Sequence, residues 1–540
     1  MAEATQTLAR ELEAKVGALA TFEPGPRRQD LTLRLHRAAD VQQATADLGA
    51  AGLSLATLVA TDERATAERD LKVRYVFEPA TGPGALPDLF VTLVAALDPA
   101  RPALPSISDR VPAANWHERE AQDLLGIVFT DHPDPRSLVV HDGWPKGRYP
   151  LRKDFDARER PAVEPSEELP HLRVEGEGVL EVPVGPIHAG IIEPGHFRFS
   201  TVGEGVLHLE ARLFYTHRGL EKRIEGRTLG DAFYIAERMC GVCSVSHALG
   251  FCEAVEQVAG VEVPRRARVL RSLALELERL YNHLGDIGNI AAGASYHYGT
   301  SAGLRLKEAV QQVAERLAGN RFLRGLVTPG GARLDLTADS GRGIDALLPA
   351  TAAGLTSLVA RIENNPSVVD RLDTTGVLAR EHAIALGVTG VAARASDVNR
   401  DARRDHPHAA YGSATGLAVA VATDTDGDVH ARLNVRVAEA RESIRLLQAM
   451  LADVPPGPIC APMPEELPAG GIGISAIESP RGAAIHWLRA DAAGRIDRYH
   501  LRSASYANWP AVPLAAQTSI IPDFPLVNKS FELCYSCTDR

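Results

Sequence analysis

Glu237-Arg-Met-Cys240-Gly-Val-Cys243-Ser-Val-Ser-His247 is the stretch on which the reading of this chain turns. It carries a Cys-x-x-Cys pair and, four residues on, a histidine. A second pair lies in Glu532-Leu-Cys534-Tyr-Ser-Cys537-Thr-Asp-Arg540. Together the pairs hold four of the six cysteines, and almost 300 residues separate them. They meet only if everything between folds around them, and four thiolates would then share one buried metal site. Thiolates are soft ligands that suit zinc, iron–sulfur clusters, copper(I) and nickel. Structural zinc usually joins pairs about 15–20 residues apart in a small knuckle. Iron–sulfur ligand runs are likewise local in sequence. The spacing therefore disfavours both of these and leaves the metal to be decided by the flanks.

Outward from the pairs, composition sets limits. A chain of 540 residues exceeds one ordinary core, so two domains are expected. With 45% hydrophobic and 24% charged residues it reads as soluble and globular. No apolar run approaches the ~20 residues that span a bilayer. The first residues, MAEATQTLARELEAKVGALA, lack a basic region followed by an apolar one, so no secretory or twin-arginine signal is expected. A formal charge of -11 excludes nucleic acid as the partner, since phosphate binding needs a basic face. Six cysteines in so long a chain are no disulfide framework.

The periodicities give an α+β chain. Residues 1–155 read as a small α+β module, with an amphipathic helix over 5–20 (Leu8, Leu12, Val16, Leu19). Strand-like runs follow at Leu31–Leu35, Val73–Phe77 and Leu89–Leu97. Proline and charge dominate residues 156–176, read as a linker. Residues 177–540 open with strands at Val179–Val184 and Val206–Phe214, then become mainly helical. Residues 265–290 and 430–452 carry apolar positions at a period near 3.6, as in a helical bundle. β structure returns around 470–505.

The flanks of the pairs carry a resemblance. His217-Arg-Gly-Leu-Glu221, Glu237-Arg-Met-Cys240-Gly-Val-Cys243 and His247, with the C-terminal Cys534-Tyr-Ser-Cys537, resemble the two metal-site signatures of nickel–iron hydrogenase large subunits. Glu118-Arg-Glu120, Gly126-Ile127, His132-Pro133 and Pro150-Leu-Arg-Lys-Asp154 are similar to the smaller peripheral-arm subunit of respiratory complex I. Gly387-Val-Thr-Gly390, Arg394-Ala-Ser396 and Gly427-Asp428 resemble its quinone-site subunit. The combination, with all four cysteines kept, resembles the group 4 membrane-associated hydrogenases of the formate hydrogenlyase type. It implies a complex-I-like α+β domain over 1–155 and a mainly helical large-subunit domain with peripheral β structure over 177–540.

The resemblance implies a nickel–iron centre in which Cys240 and Cys534 are terminal nickel ligands. Cys243 and Cys537 bridge to an iron carrying cyanide and carbon monoxide. A terminal thiolate, Cys534 among them, accepts the proton when dihydrogen splits. Glu221 becomes the first proton relay; read by itself it is a surface glutamate paired with Lys222 and Arg223. Arg481, in Pro480-Arg-Gly482, places a guanidinium over the metals; a Pro-Arg-Gly tripeptide by itself is a turn. Glu193, in Glu193-Pro-Gly-His196, matches a magnesium-binding glutamate of related enzymes, with a proline inserted. Arg540 stands where those enzymes have a histidine, and an arginine cannot ligate a cation. Glu532-Leu replaces the family's Asp-Pro.

Other features read as structural. Cys252 and Cys460 are taken as small hydrophobes. Asp424-x-Asp426-Gly-Asp428 is a turn, Gly470-Gly-Ile-Gly473 is no dinucleotide fingerprint, and His406-Pro-His408 is a solvated loop. Beyond the two pairs no cysteine group remains that could ligate an iron–sulfur cluster and wire electrons. The resemblance therefore implies an iron–sulfur small subunit of complex I type, with ferredoxin-like and membrane-arm subunits beyond it, and a maturation protease if a C-terminal extension exists. It places the chain peripherally, through its complex, on the cytoplasmic side of the inner membrane. The alternative is a complex-I-like quinone-site or coupling subunit without metal.

Overall fold

The computed structural model describes residues 2–80, 88–164, 171–189, 192–412, 417–517 and 519–540. The middle of the expected linker, 165–170, lies outside the described residues. The N-terminal part forms a five-stranded sheet from Ala20–Pro24, Leu31–Leu35, Leu53–Asp62, Leu71–Pro79 and Val91–Leu97. In space these run first, second, fifth, fourth, third, and only the second and fifth are parallel. One face shares an apolar core with the helices Ala2–Val16 and Val41–Ala50, through Leu8, Leu12, Val16, Val41 and Leu48. The helix expected over 5–20 thus ends at Val16, and Leu19 lies outside it. Gly17 marks the stop: a Cβ there would sit 2.4 Å from the Glu13 carbonyl.

The other face of the sheet is not solvated. Val59 and Val76 pack against Ile474, Ile485 and Trp487 of a second sheet, the antiparallel Ile472–Ser479, Gly482–Ala490 and Ile496–Arg502. Leu53–Asp62 is therefore buried on both faces, so its sequence shows an apolar run rather than the alternation that reveals a strand. The two histidines expected in a solvated loop are both buried, and His406 lies at this seam. His406 is 5% exposed, 3.0 Å from Glu78 and 2.7 Å from Asp88, with its ring stacked on Phe90 at 4.6 Å. Burial opposes its charge, but the two carboxylates outweigh this and raise its pKa to about 9.

After residue 176, Val179–Val184, His196–Val202 and Gly205–Arg212 form an antiparallel sheet. Helices follow: Ser244–Ala259, Arg265–Gly293, His297–Ala318, Ala338–Glu363 and Val429–Ala452. Arg265–Gly293 is buried almost all round, so its polar residues pair inside: Arg271 with Glu256, His283 with Glu439, Asp286 with Arg481 and Arg436. Ala338–Glu363 has a mean hydropathy of 1.4 over its most apolar window, so among the described residues one helix is long and apolar enough to cross a membrane, against the expectation that none would be. Its buried residues, Ile344, Leu348, Thr351, Leu355, Leu358 and Ile362, form a single stripe against the bundle, as in a core-facing soluble helix.

Two large apolar cores result. One is the bundle, which includes Val245, Ala248 and Leu249 beside the first cysteine pair. The other runs from the N-terminal sheet into Phe531, Leu533 and Tyr535 beside the second. The cysteines lie where these two cores meet.

Candidate metal centre

Cys240, Cys243, Cys534 and Cys537 cluster, each 8% exposed or less. Cys240 and Cys537 sulfurs are 2.9 Å apart although 297 positions separate them. In each pair the second cysteine's N–H donates to the first cysteine's sulfur, at 3.2 Å (Cys243 to Cys240) and 3.4 Å (Cys537 to Cys534). Cys243 stands immediately before Ser244–Ala259, where the helix N-terminus favours a thiolate. Glu278, from Arg265–Gly293, accepts the free N–H groups of that helix's first turn, Val245 at 2.7 Å and Ser246 at 3.0 Å. Burial holds the Glu278 pKa up at about 7.

Arg218 staples the pairs together. Its guanidinium donates to the carbonyl of Met239, next to Cys240, at 2.8 Å and to that of Ser536, between Cys534 and Cys537, at 2.9 Å. Gly219 follows with φ 61°, a turn that glycine makes without strain. The Arg-Gly-x-Glu motif thus has a mechanical reason that spacing alone did not disclose. His247, also not singled out as a site residue, places Nε2 3.2 Å from the Cys537 sulfur. One donor atom each from Cys240, Cys243, His247 and Cys537 lie within 4.8 Å of one another; Cys534 is outside that tight group but in contact with the cluster.

Pro480-Arg481 is the tip of a tight hairpin, with Ser479 paired to Gly482. Gly390 packs on it so closely that a Cβ would meet the Arg481 carbonyl at 2.3 Å. The tip turns Arg481 inward, where Nη1 and Nη2 grip Asp286 at 2.5 and 3.1 Å and its charge favours the Cys243 thiolate. Arg481 Nε and His247 Nδ1 are buried without a hydrogen-bond partner.

The sulfurs divide by charge. Cys243 opposes ionisation of Cys240, but the hydrogen bonds from Cys534 and Cys537 outweigh it and bring Cys240 down to about 6. Bonds from Cys240 and Cys537 do the same for Cys243, also about 6. Cys534 and Cys537 are pushed well above the usual thiol range, chiefly by their contacts with Cys240. Four packed sulfurs cannot all ionise without a cation, and a soft metal supplies one and releases their protons. Donor type, burial and the unpartnered Arg481 Nε fit a thiolate-bound metal pair with small polar ligands.

The two expected glutamates sit differently. The Glu193 carboxylate accepts from the Ser536 N–H at 3.1 Å and from the Ser536 hydroxyl. It belongs to the loop before His196–Val202, pinned by His188 to the Gly195 carbonyl at 2.7 Å and lying against Tyr535. Among the described residues Glu193 joins no cluster of three or more possible ligands, so the donor set does not fit magnesium, which wants several oxygens in an octahedron. Glu221 is 5% exposed, not a surface residue, and Lys222 turns away to the Arg152 carbonyl and Glu225. Glu221 accepts from Arg498 at 2.7 Å, Arg540 at 2.9 Å and the Leu501 N–H at 3.0 Å. Burial opposes its charge, yet Arg498, Arg540 and His500 hold it well below the usual carboxylate range. Cys252 is buried as expected, whereas Cys460 is exposed rather than packed. Asp428 caps Val429–Ala452, consistent with a turn at 424–428.

Known proteins resemble this chain over most of its length. Residues 218–285 match the nickel-dependent hydrogenase family, which spans Arg218 and the first pair. Residues 293–470 and 463–540 match the respiratory-chain NADH dehydrogenase 49 kDa subunit, and 32–161 its 30 kDa subunit. Hydrogenase-4 component G of Escherichia coli is 34% identical over 88% of this chain and 82% of its own. Formate hydrogenlyase subunit 5 of the same organism is 35% identical over 84% and 79%. The chain belongs to the catalytic subunits of the group 4 membrane-bound nickel–iron hydrogenases. A chain of a membrane-bound sulfane sulfur reductase, an archaeal respiratory complex, shares the hydrogenase subunit's fold, with a TM-score of 0.63 over 67% of this chain and 99% of that one at 24% identity.

Proposed function

We propose that Cys240 and Cys534 bind nickel terminally and that Cys243 and Cys537 bridge it to an iron bearing cyanide and carbon monoxide. The gathering of four sulfurs from both ends of the large domain carries this reading. When bound, the pair supplies the redox chemistry that interconverts protons and electrons with dihydrogen. The chain's own residues do the rest. Arg481 keeps a cation beside Cys243 and a free N–H for a polar ligand. His247 donates to Cys537 and fixes that sulfur.

Glu193 accepts the N–H of Ser536, the residue between Cys534 and Cys537, at 3.1 Å, which puts a carboxylate beside the loop of the terminal ligand Cys534. We place the first relay at Glu193 rather than at Glu221. A carboxylate held by two guanidiniums is a poor proton acceptor, and Glu221 is so held.

Electrons must come from outside, because Cys252 and Cys460 lie apart from the cluster. We assign that role to an iron–sulfur subunit of complex I type, with ferredoxin-like and membrane-arm subunits beyond it, holding the chain to the cytoplasmic side of the inner membrane. Residues 1–155 and 177–540 are read as the two modules, joined through 156–176. The matches to the 49 kDa subunit favour a second reading, a metal-free quinone-site subunit; the four gathered cysteines oppose it. Elemental analysis with a hydrogen-turnover assay on the matured complex decides. Nickel, iron and turnover are expected, and zinc or no metal overturns the proposal.

A further inference from the structure

The clamp on Glu221 reaches beyond the large domain. Glu120, from the Asn115–Leu125 helix of the N-terminal module, is also buried and also paired with Arg540. Glu120, Glu221 and His500 each bring one ligating atom within 4.8 Å of the others, the kind of gathering that holds a divalent cation. A guanidinium stands in the middle of it. Arg540 Nη1 donates to Glu221 at 2.9 Å and to the Leu501 carbonyl at 2.6 Å, Nη2 donates to Glu120, and Cζ lies 4.8 Å from the Tyr506 ring centre. Arg498 balances the second carboxylate charge at 2.7 Å. Two carboxylates thus face two guanidiniums, and no charge is left over for an ion.

Arg540 is also tied to the metal cysteines. Its N–H donates to the Ser536 carbonyl at 3.2 Å, and its own carbonyl accepts from Arg218 N–H at 2.8 Å, the residue that staples both cysteine loops. We propose that Arg540 is a built-in cation standing in for a divalent ion at the module junction, and that through it Glu120 of the N-terminal module positions Cys537. Arg540 is a positioning residue. The magnesium expected from the resemblance is tied to Glu193, whereas this covalently attached charge fills the place of an ion among Glu120, Glu221 and His500. This rests on the reading of the four cysteines as metal ligands.

The test uses the assembled, matured complex, with chelation by EDTA and readdition of magnesium chloride, and with magnesium and nickel counted by elemental analysis. Wild type is expected to contain no stoichiometric magnesium and to keep its nickel and turnover under chelation. Arg540→His supplies a ligand in place of the guanidinium. It should lose nickel retention and turnover about tenfold in EDTA and regain them with magnesium. Glu120→Gln should shed nickel faster, by about tenfold, with no response to magnesium. Stoichiometric magnesium in wild type overturns the proposal, and so does Arg540→His that ignores magnesium. If Arg540→His does not mature, Glu120→Gln decides alone, and wild-type nickel retention in it overturns the proposal. Wild type without nickel or turnover would instead defeat the functional reading, and the magnesium count would still stand.

Discussion

The two cysteine pairs are alike in sequence and unlike in support. The first is anchored by its own neighbourhood: Ser244–Ala259 runs directly on from Cys243, and Glu278 on the adjoining bundle helix caps it. The second sits on the short Tyr535–Asp539 helix, which depends on distant partners. Asp539 takes the N–H groups of Phe214 and Thr216 at 2.9 Å each, Ser503 holds the Cys537 carbonyl at 3.0 Å, and Arg540 reaches the N-terminal module. The neighbours of the first pair, Val245, Ala248 and Leu249, belong to the bundle core, and those of the second, Phe531, Leu533 and Tyr535, to the core shared with the N-terminal sheet. One half of the site is therefore local, and the other rests on partners distant in sequence, Phe214, Thr216, Ser503 and Glu120.

The largest effect should erase the comparison altogether. Cys243→Ser or Cys537→Ser removes a bridging sulfur, and elemental analysis should find no stoichiometric nickel and iron; retention of both metals would contradict the bridging assignment. Next comes the contrast between the glutamates. Glu193→Gln should lower hydrogen turnover about 10²–10⁴-fold with nickel still bound. Glu221→Gln should show itself mainly as lost stability, by about 3–5 kcal/mol on calorimetry, because it strips one partner from a buried ion-pair set. The reverse pattern would return the relay to Glu221. Arg481→Lys keeps a charge but loses the two-pronged grip on Asp286, and turnover should fall about 10²-fold.

The smallest effect concerns the seam between the N-terminal sheet and the Ile472–Ser479 sheet. His406 has a pKa of about 9 in the fold. It titrates near its ordinary value of about 6.5 when unfolded. Its contribution is complete below the unfolded value and is lost as pH rises towards the folded one, up to about 3 kcal/mol. Thermal unfolding should therefore show falling stability between these pH values, and His406→Gln should flatten that slope. Nickel loss at alkaline pH without loss of the Ser244–Ala259 helix would sharpen the contrast between the pairs; equal loss of both would break it.

What was legible in the sequence follows the same division. The cysteine spacing, the bundle helices and the sheet over 470–505 announced themselves through local pattern. The strand Leu53–Asp62 did not, because a second sheet covers its outer face and removes the alternation. Glu120 was visible only as part of a resemblance, since nothing in its helix discloses an arginine some 420 positions away. Glu221 looked like a surface residue beside Lys222 and Arg223, and tertiary burial by Arg498 and Arg540 reversed that. His406 misled for the same reason: its carboxylate partners come from the other module. Arg218 could have been found, as an arginine before a glycine turn near the first pair, but its hold on both loops exists only once they meet.

The central claim is a nickel–iron pair on Cys240, Cys243, Cys534 and Cys537, and infrared spectroscopy of the matured complex tests it most directly. The account predicts bands from cyanide and carbon monoxide bound to iron, which vanish in Cys537→Ser. A matured, wild-type complex without those bands would contradict it.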